Sequence, residues 1–81
     1  MNIFVAQLDY AIQESKLQTL FEDFGEVSSA KIIMDKMTGR SKGFGFIEMP
    51  DDTAAHAAIN ALNGKEVDGR AIVVKEANPR D

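Results

Sequence analysis

The side chains of this sequence that could do chemistry are aromatic and basic rather than nucleophilic. Its 81 residues include no cysteine and a single histidine, His56. Disulfides and thiolate metal sites are therefore excluded, and a zinc site would have to be built almost entirely from carboxylates. Three phenylalanines, Phe4, Phe44 and Phe46, stand out instead, with Lys42 two residues before the second. An aromatic ring stabilises a stacked nucleobase by about 1–3 kcal/mol, and an ammonium group binds phosphate. The pattern points to binding without a cofactor or a metal.

Strands and helices predicted from residue periodicity must position these side chains. Leu17, Leu20, Phe21 and Phe24 recur at helical spacing and predict one amphipathic helix. The predicted elements are strands over 2–8, 27–35, 42–49 and 71–77, and helices over 13–24 and 53–62. This βαββαβ order is typical of an α+β, ferredoxin-like sandwich, in which a four-stranded antiparallel sheet carries two helices on one face. We expect a single domain over residues 1–81, with its core at about 2–77.

Caps and turns separate these elements. Asp51 or Asp52 can cap the second helix, whereas Ile12 stands where a polar cap of the first helix is expected. Asp68-Gly69 predicts a tight turn before the last strand.

Alternation of side chains along the strands predicts which residues face the helices. Ile3 and Val5 in the first strand, and Ile47 and Met49 in the third, are the aliphatic residues that helices need for packing. The opposite parity places the three phenylalanines on the uncovered face. The two glycines of the third strand share the inward face, where we expect them to let a helix approach closely.

Charge is unevenly distributed along the chain. The net charge is −4, which argues against a nucleic-acid ligand, but residues 31–42 carry four basic side chains against Asp35 alone. The basic side chains of this segment, Arg40 among them, could contact phosphate or belong to a solvated loop. Lys31 shares the parity of the uncovered face and could be a phosphate contact or a surface charge.

Two segments resemble the signatures of a known family. KGFGFIEM at residues 42–49 resembles the octamer of the RNA-recognition-motif family, and IFVAQL at 3–8 resembles its partner hexamer. The likeness covers almost the whole chain. The chain is similar to small single-domain bacterial RNA-binding proteins of this family. Gln7 stands where the hexamer usually has Asn, and Ala6 where it often has Gly. We expect both differences to alter the loop into the first helix rather than to remove binding.

The resemblance implies a role for each matching residue. Phe4 and Phe44 would stack on bases, Phe46 would lie against the sugars between them, and Lys42 would contact phosphate. Groups just after the last strand, from Lys75 to Asn78, would read base edges. The RNA-binding residues expected from residue pattern and resemblance together are Phe4, Phe44, Phe46, Lys42, Lys31, Arg40, Lys75 and Asn78.

The expected function is binding of single-stranded RNA, with single-stranded DNA as a possible second ligand, in a post-transcriptional regulator or an RNA chaperone. The alternative is a protein–protein interaction domain that uses the same open face. Tyr10, just after the first strand, could pack on the loop or extend the stacking surface.

Other function classes find little support in the sequence. Ser28-x-x-Lys31 matches a nucleophile pattern, but residues three apart on a strand face opposite sides. Small acylphosphatase-like enzymes share the expected fold, yet they need an anion-binding loop after the first strand, where Asp9 would repel the substrate. No apolar run approaches the roughly 20 residues of a membrane helix, and no signal peptide opens the chain. We expect a cytoplasmic monomer that is not an enzyme and has no small-molecule substrate.

Overall fold

The computed structural model describes residues 1–77, which form one four-stranded sheet, two helices and a small hairpin. In chain order the elements are β1 (Asn2–Ala6), α1 (Glu14–Glu22), β2 (Ser29–Met34), β3 (Ser41–Glu48), α2 (Asp52–Leu62), β4 (Glu66–Val67), β5 (Arg70–Ala71) and β6 (Val73–Ala77). The sheet has the order β2-β3-β1-β6 with every neighbouring pair antiparallel, and β4 pairs with β5 to form the hairpin. The predicted α+β, ferredoxin-like sandwich is confirmed. Within residues 1–77, no helix is long and apolar enough to cross a membrane.

The core lies between one face of the sheet and the two helices. Ile3, Val5 and Met49 are fully buried, and so are Leu17 and Phe21 on α1. Burying a side chain of this size stabilises the fold by about 1.5–3 kcal/mol. The alternation along β1 and β3 therefore assigns one face to the core and leaves the other for a different use.

As the sequence indicates, α2 begins with a side-chain cap and α1 does not. Asp51 caps α2, because its Oδ1 accepts hydrogen bonds from the backbone amides of Thr53 at 2.9 Å and Ala54 at 3.3 Å. The first turn of α1 follows Gln13, whose side chain makes no capping hydrogen bond. Tertiary contacts rather than a cap must hold this end of α1.

The last strand is shorter than predicted. Residues 71–77 were expected to form one strand, but Ala71 pairs with Glu66 in the hairpin and β6 begins only at Val73. Ile72 between them is fully buried, and its amide donates to the Lys65 carbonyl at 3.0 Å. The apolar run at 71–74 contains no polar residue to mark this change of partner, so periodicity could not reveal it.

The turn that closes the hairpin agrees with the sequence. Asp68 and Gly69 have φ values of 52° and 88°. Two successive positive φ angles belong to the tight hairpin turn that favours Asp-Gly.

Both glycines of β3 are buried, but their nearest neighbours belong to β2 and to the loop after β1 rather than to a helix. A Cβ on Gly45 would collide with the Lys31 carbonyl and lie 3.1 Å from the Ile32 Cα, both in β2. Gly43 has a φ of 86°, which opposes any larger residue. The prediction that a helix approaches these two glycines closely is therefore wrong. Gly45 allows a neighbouring strand to approach, and Gly43 allows a backbone conformation.

Both edges of the sheet are protected by hydrogen bonds from outside the ladder. On β2, the Ile32 amide donates to Glu14 Oε2 of α1 at 2.9 Å. On β6, the Val74 amide donates to Asn63 Oδ1 at 3.0 Å. Unpaired edge amides invite pairing with other chains, so these side chains act against edge-to-edge association.

The close approach at Gly45 makes this position intolerant of a side chain. We expect Gly45→Ala to lower the free energy of unfolding by about 3 kcal/mol, the upper end of the cost of overpacking, because the atoms that the methyl group meets are backbone. Gly39→Ala is the comparison, since a Cβ there meets open space and only the φ of 72° opposes it. That variant should lose about 1 kcal/mol. Urea denaturation measures both, and equal losses would contradict this account of Gly45.

The edge contact of Glu14 should contribute measurably to stability. Glu14→Ala leaves the part-buried Ile32 amide without its acceptor, which costs about 1–3 kcal/mol. Glu14→Gln keeps an acceptor oxygen and should lose less. The matched control is Glu22→Ala on the same helix, whose contact with Gln18 is exposed, with an expected change within about 0.5 kcal/mol. Thermal or urea denaturation of the three variants measures the differences, and a Glu14→Ala loss no larger than that of Glu22→Ala would contradict a stabilising edge contact.

Candidate nucleic-acid interface

Three phenylalanine rings meet on the sheet face opposite the core. The Phe4 centroid lies 5.5 Å from that of Phe46 and 5.8 Å from that of Phe44, and the Phe44 and Phe46 centroids are 6.5 Å apart in an edge-to-face arrangement. Phe46 remains 39% exposed, and the other two rings are half-buried. These separations are those of favourable aromatic pairs, so the rings fix one another while still facing solvent. Below, the three rings are called the aromatic cluster.

Two lysines flank the aromatic cluster because of strand register. Phe46 lies opposite Phe4 on β1 and opposite Lys31 on β2, and Phe4 lies opposite Lys75 on β6. One row across the sheet therefore reads Lys31, Phe46, Phe4, Lys75. The Lys75 Nζ lies 5.6 Å from the Phe4 centroid, within range of a cation–π contact. The arrangement places a cation at each end of an exposed aromatic surface.

The two ends of the open face differ in charge. The row beyond Phe46 and Phe4 contains Glu48 opposite Asn2. At the other end, Lys42 and Arg40 line a groove of about 500 Å³ that also includes Phe44. Positive charge is thus concentrated at the end of the sheet where β2 joins β3.

The loop between β2 and β3 is shaped by one carboxylate. Asp35 Oδ1 accepts a hydrogen bond from the Met37 amide at 2.8 Å, and the Asp35 amide donates to the Arg40 carbonyl at 2.7 Å. Gly39 adopts a φ of 72° in the same turn. The loop is therefore a closed turn, and it brings the basic side chain of Arg40 back to the start of β3.

The cations of this face are not neutralised by ion pairs within residues 1–77. The two ion pairs in that part of the chain join the N-terminal amino group to Asp52, and Lys16 to Asp68. Neither involves a basic residue of the open face. Cations without carboxylate partners on a surface with exposed rings suit a ligand that has both flat groups and negative charges.

The structure brings together seven of the eight residues expected from the sequence. Phe4, Phe44, Phe46, Lys31 and Lys75 lie on the open face, and Arg40 and Lys42 lie at its basic end. Asn78 lies outside the described residues. Their roles toward a ligand stay predictions.

Sequence reasoning missed Arg70. Its guanidinium carbon lies 5.9 Å from the centroid of the Tyr10 ring. The position of Arg70 depends on the β4–β5 hairpin, which residue periodicity does not separate from the last strand. Tyr10, for which the sequence allows either packing on the loop or an extension of the stacking surface, is 67% exposed.

The departure at Gln7 has a visible effect on the backbone. Gln7 follows β1 with a φ of 59°, in the left-handed region that Asn tolerates better than Gln. The strand, predicted to run over 2–8, ends at Ala6 because this residue turns the chain. Leu8 then re-enters the core and donates its amide to the Gly43 carbonyl at 2.8 Å.

Comparisons with known proteins agree with this geometry. Glycine-rich RNA-binding protein 10 of Brassica napus is 48% identical over 77 residues, covering 95% of this chain and 46% of the relative. The crystal structure of RNA Binding Protein PG1 superimposes with a TM-score of 0.96 at 47% identity, covering 100% of this chain and 98% of that one. The structure of the Rna15 RRM with bound RNA (GU) gives a TM-score of 0.87 at 29% identity, covering 99% and 85%.

The relatives correct one expectation. The likeness to small bacterial proteins is contradicted, because the matching glycine-rich RNA-binding proteins come from plants. That expectation rested on the shortness of the chain, whereas this chain spans about half the length of the curated relatives it matches. Short length is therefore not a guide to the kind of protein in which the domain occurs.

The family model for the RNA recognition motif matches residues 3–73. This match includes both signature segments, both helices and the hairpin. It confirms the prediction of a binding domain rather than an enzyme for these residues. The chain belongs to the RNA recognition motif family.

Proposed function

We propose that this domain binds single-stranded RNA by stacking unpaired bases on the aromatic cluster. The observation that carries the proposal is the row in which Lys31 and Lys75 flank the exposed rings of Phe46 and Phe4. Stacking is open to any base that is not paired, whereas the bases of a duplex are stacked on one another and unavailable.

Each residue of the face has a distinct task in this proposal. Phe4 and Phe44 stack on bases, and Phe46 lies against the sugars between them. Lys42 and Arg40 bind phosphate at the basic end of the face. Lys31 adds a phosphate contact at the β2 edge, and Lys75 reads base edges from β6. Asn78, outside the described residues, is proposed to read base edges as well.

The RNA-bound relative supports the choice of ligand. The Rna15 domain, which has bound RNA (GU) in its structure, shares this fold over 99% of the present chain. The glycine-rich relatives are named as RNA-binding proteins. The proposal extends to a role as a post-transcriptional regulator or an RNA chaperone in the cytoplasm, which cell fractionation followed by sequencing of bound RNA would test.

Removing a stacking ring should weaken binding directly. We expect Phe44→Ala to reduce the affinity for single-stranded RNA by about 1–3 kcal/mol, because the variant loses the ring under one base. His56→Ala, on the exposed surface of α2, is the control and should bind as the unchanged chain does. Titration followed by fluorescence anisotropy of a labelled oligomer measures both variants. Unaltered binding by a folded Phe44→Ala variant would refute the stacking role, and the open face would then favour a protein partner.

The salt dependence of the affinity for single-stranded RNA should report the number of phosphate contacts. With two or three contacts, the logarithm of the association constant should fall with the logarithm of salt concentration at a slope of about −1.4 to −2, at about −0.7 for each contact on a single strand. Lys42→Gln should make the slope shallower by about 0.7. Lys16→Gln is the matched control, since this lysine pairs with Asp68 away from the open face. An identical slope for Lys42→Gln and the unchanged chain would remove Lys42 from the phosphate contacts.

A further inference from the structure

We propose that Tyr10 and Arg70 form an additional nucleotide-binding subsite, which extends the RNA path beyond the sheet at its basic end. The inference rests on the proposed function, since it places one more nucleotide of the same strand. Tyr10 is 67% exposed, and the Arg70 guanidinium carbon lies 5.9 Å from its ring centroid. The pair offers a flat surface for a base and a positive charge for the adjoining phosphate.

The ring of Tyr10 is held in place although most of it is exposed. Its loop is anchored on both sides by Leu8 and Ile12, which are 0% and 3% exposed. Between them, the Ala11 amide donates to Asp9 Oδ1 at 2.8 Å, and the Ile12 amide donates to the Asp9 carbonyl at 3.0 Å. A loop held in this way loses little backbone freedom when a base stacks on the ring, so the cost of ordering the loop is small.

Tyr10 is continuous with the aromatic cluster. Its Cε1 lies 3.4 Å from the point where a Cβ of Gly43 would stand, so the ring packs against the backbone between Lys42 and Phe44. Tyr10 and Arg70 line a groove of about 260 Å³ together with Phe4 and Phe44. A strand stacked on the sheet can therefore continue onto Tyr10 without leaving the surface.

Charge around the ring favours a polyanion. Arg40 and Lys42 share the larger neighbouring groove with Tyr10, and Arg70 shares the smaller one. The carboxylate that faces the same groove, Asp35, already accepts a hydrogen bond from the Met37 amide. Three cations and one carboxylate surround the ring. This excess of positive charge suits the phosphates of a nucleic acid better than it suits an apolar peptide.

The chain allows a direct optical test, because Tyr10 is its only tyrosine and it contains no tryptophan. Tyrosine emission therefore reports on this ring alone. Uridine oligomers of increasing length, beginning with the dinucleotide, are titrated into the unchanged chain. We expect the dinucleotide, accommodated on the aromatic cluster, to leave the emission unchanged. Longer oligomers should quench the tyrosine emission, and the shortest oligomer that quenches it should be the one at which the affinity first rises.

Variants separate the subsite from the sheet. Tyr10→Ala should bind the dinucleotide as the unchanged chain does. It should lose the increase in affinity that longer oligomers show, which is about 5-fold or more, as expected for one stacked base. Tyr10→Phe should keep that gain, and so should the control Met37→Ala, a 93% exposed residue in the neighbouring loop. Arg70→Gln should make the salt slope shallower for the longer oligomers only.

The outcomes distinguish this inference from the function on which it rests. Phe44→Ala should weaken binding of every oligomer. If Phe44→Ala does so while Tyr10→Ala keeps the full gain from length, the subsite is refuted and the stacking function stands. Unquenched emission with a long oligomer bound would also refute the subsite, as would an equal loss in Tyr10→Phe and Tyr10→Ala. If no oligomer binds the unchanged chain, the proposed function fails and the subsite fails with it.

Discussion

The close pairing of β2 with β3 at Gly45 is the contact on which the open face depends. Because Gly45 has no side chain, the Lys31 carbonyl and the Ile32 Cα of β2 occupy the space that a Cβ would need. That approach sets the register in which Lys31 stands opposite Phe46. The pairing of Phe46 with Phe4 on β1 then completes the row that ends in Lys75. A slip of one residue would turn every side chain of a strand to the other face, so the inward glycine and the outward phenylalanines belong to one constraint.

The acidic composition and the proposed ligand are compatible because the row that contains Phe46 and Phe4 has a lysine at each end and no carboxylate. Asp9, Asp35 and Asp51 each accept hydrogen bonds from nearby backbone amides, and Glu14 accepts one from the edge of the sheet. These acids shape loops, a helix start and a strand edge. The net charge of −4 is therefore a poor guide to the charge of the open face, where lysines and arginines predominate.

Alternation and helical spacing were sufficient to predict the fold and the aromatic face. They succeed because a strand has only two faces and the helices must bury aliphatic residues such as Ile3 and Ile47. The sequence could not predict the contribution of Arg70, since that depends on a two-residue hairpin hidden in a continuous apolar run. Nor could it predict the contact between Glu14 and Ile32, which joins residues 18 positions apart. The role of Gly45 was misassigned because a pattern shows that space is needed without showing which neighbour fills it.

One face of the sheet is proposed to bind unpaired RNA. The most direct measurement is an NMR titration of the labelled chain with single-stranded RNA and, separately, with duplex RNA of the same length. Single strands should shift the amide signals of β1, β3 and the basic loop, centred on Phe4, Phe44 and Phe46, and the duplex should leave them unchanged. Shifts confined to α1 and α2, or no shifts from a folded chain with any single strand, would contradict the account.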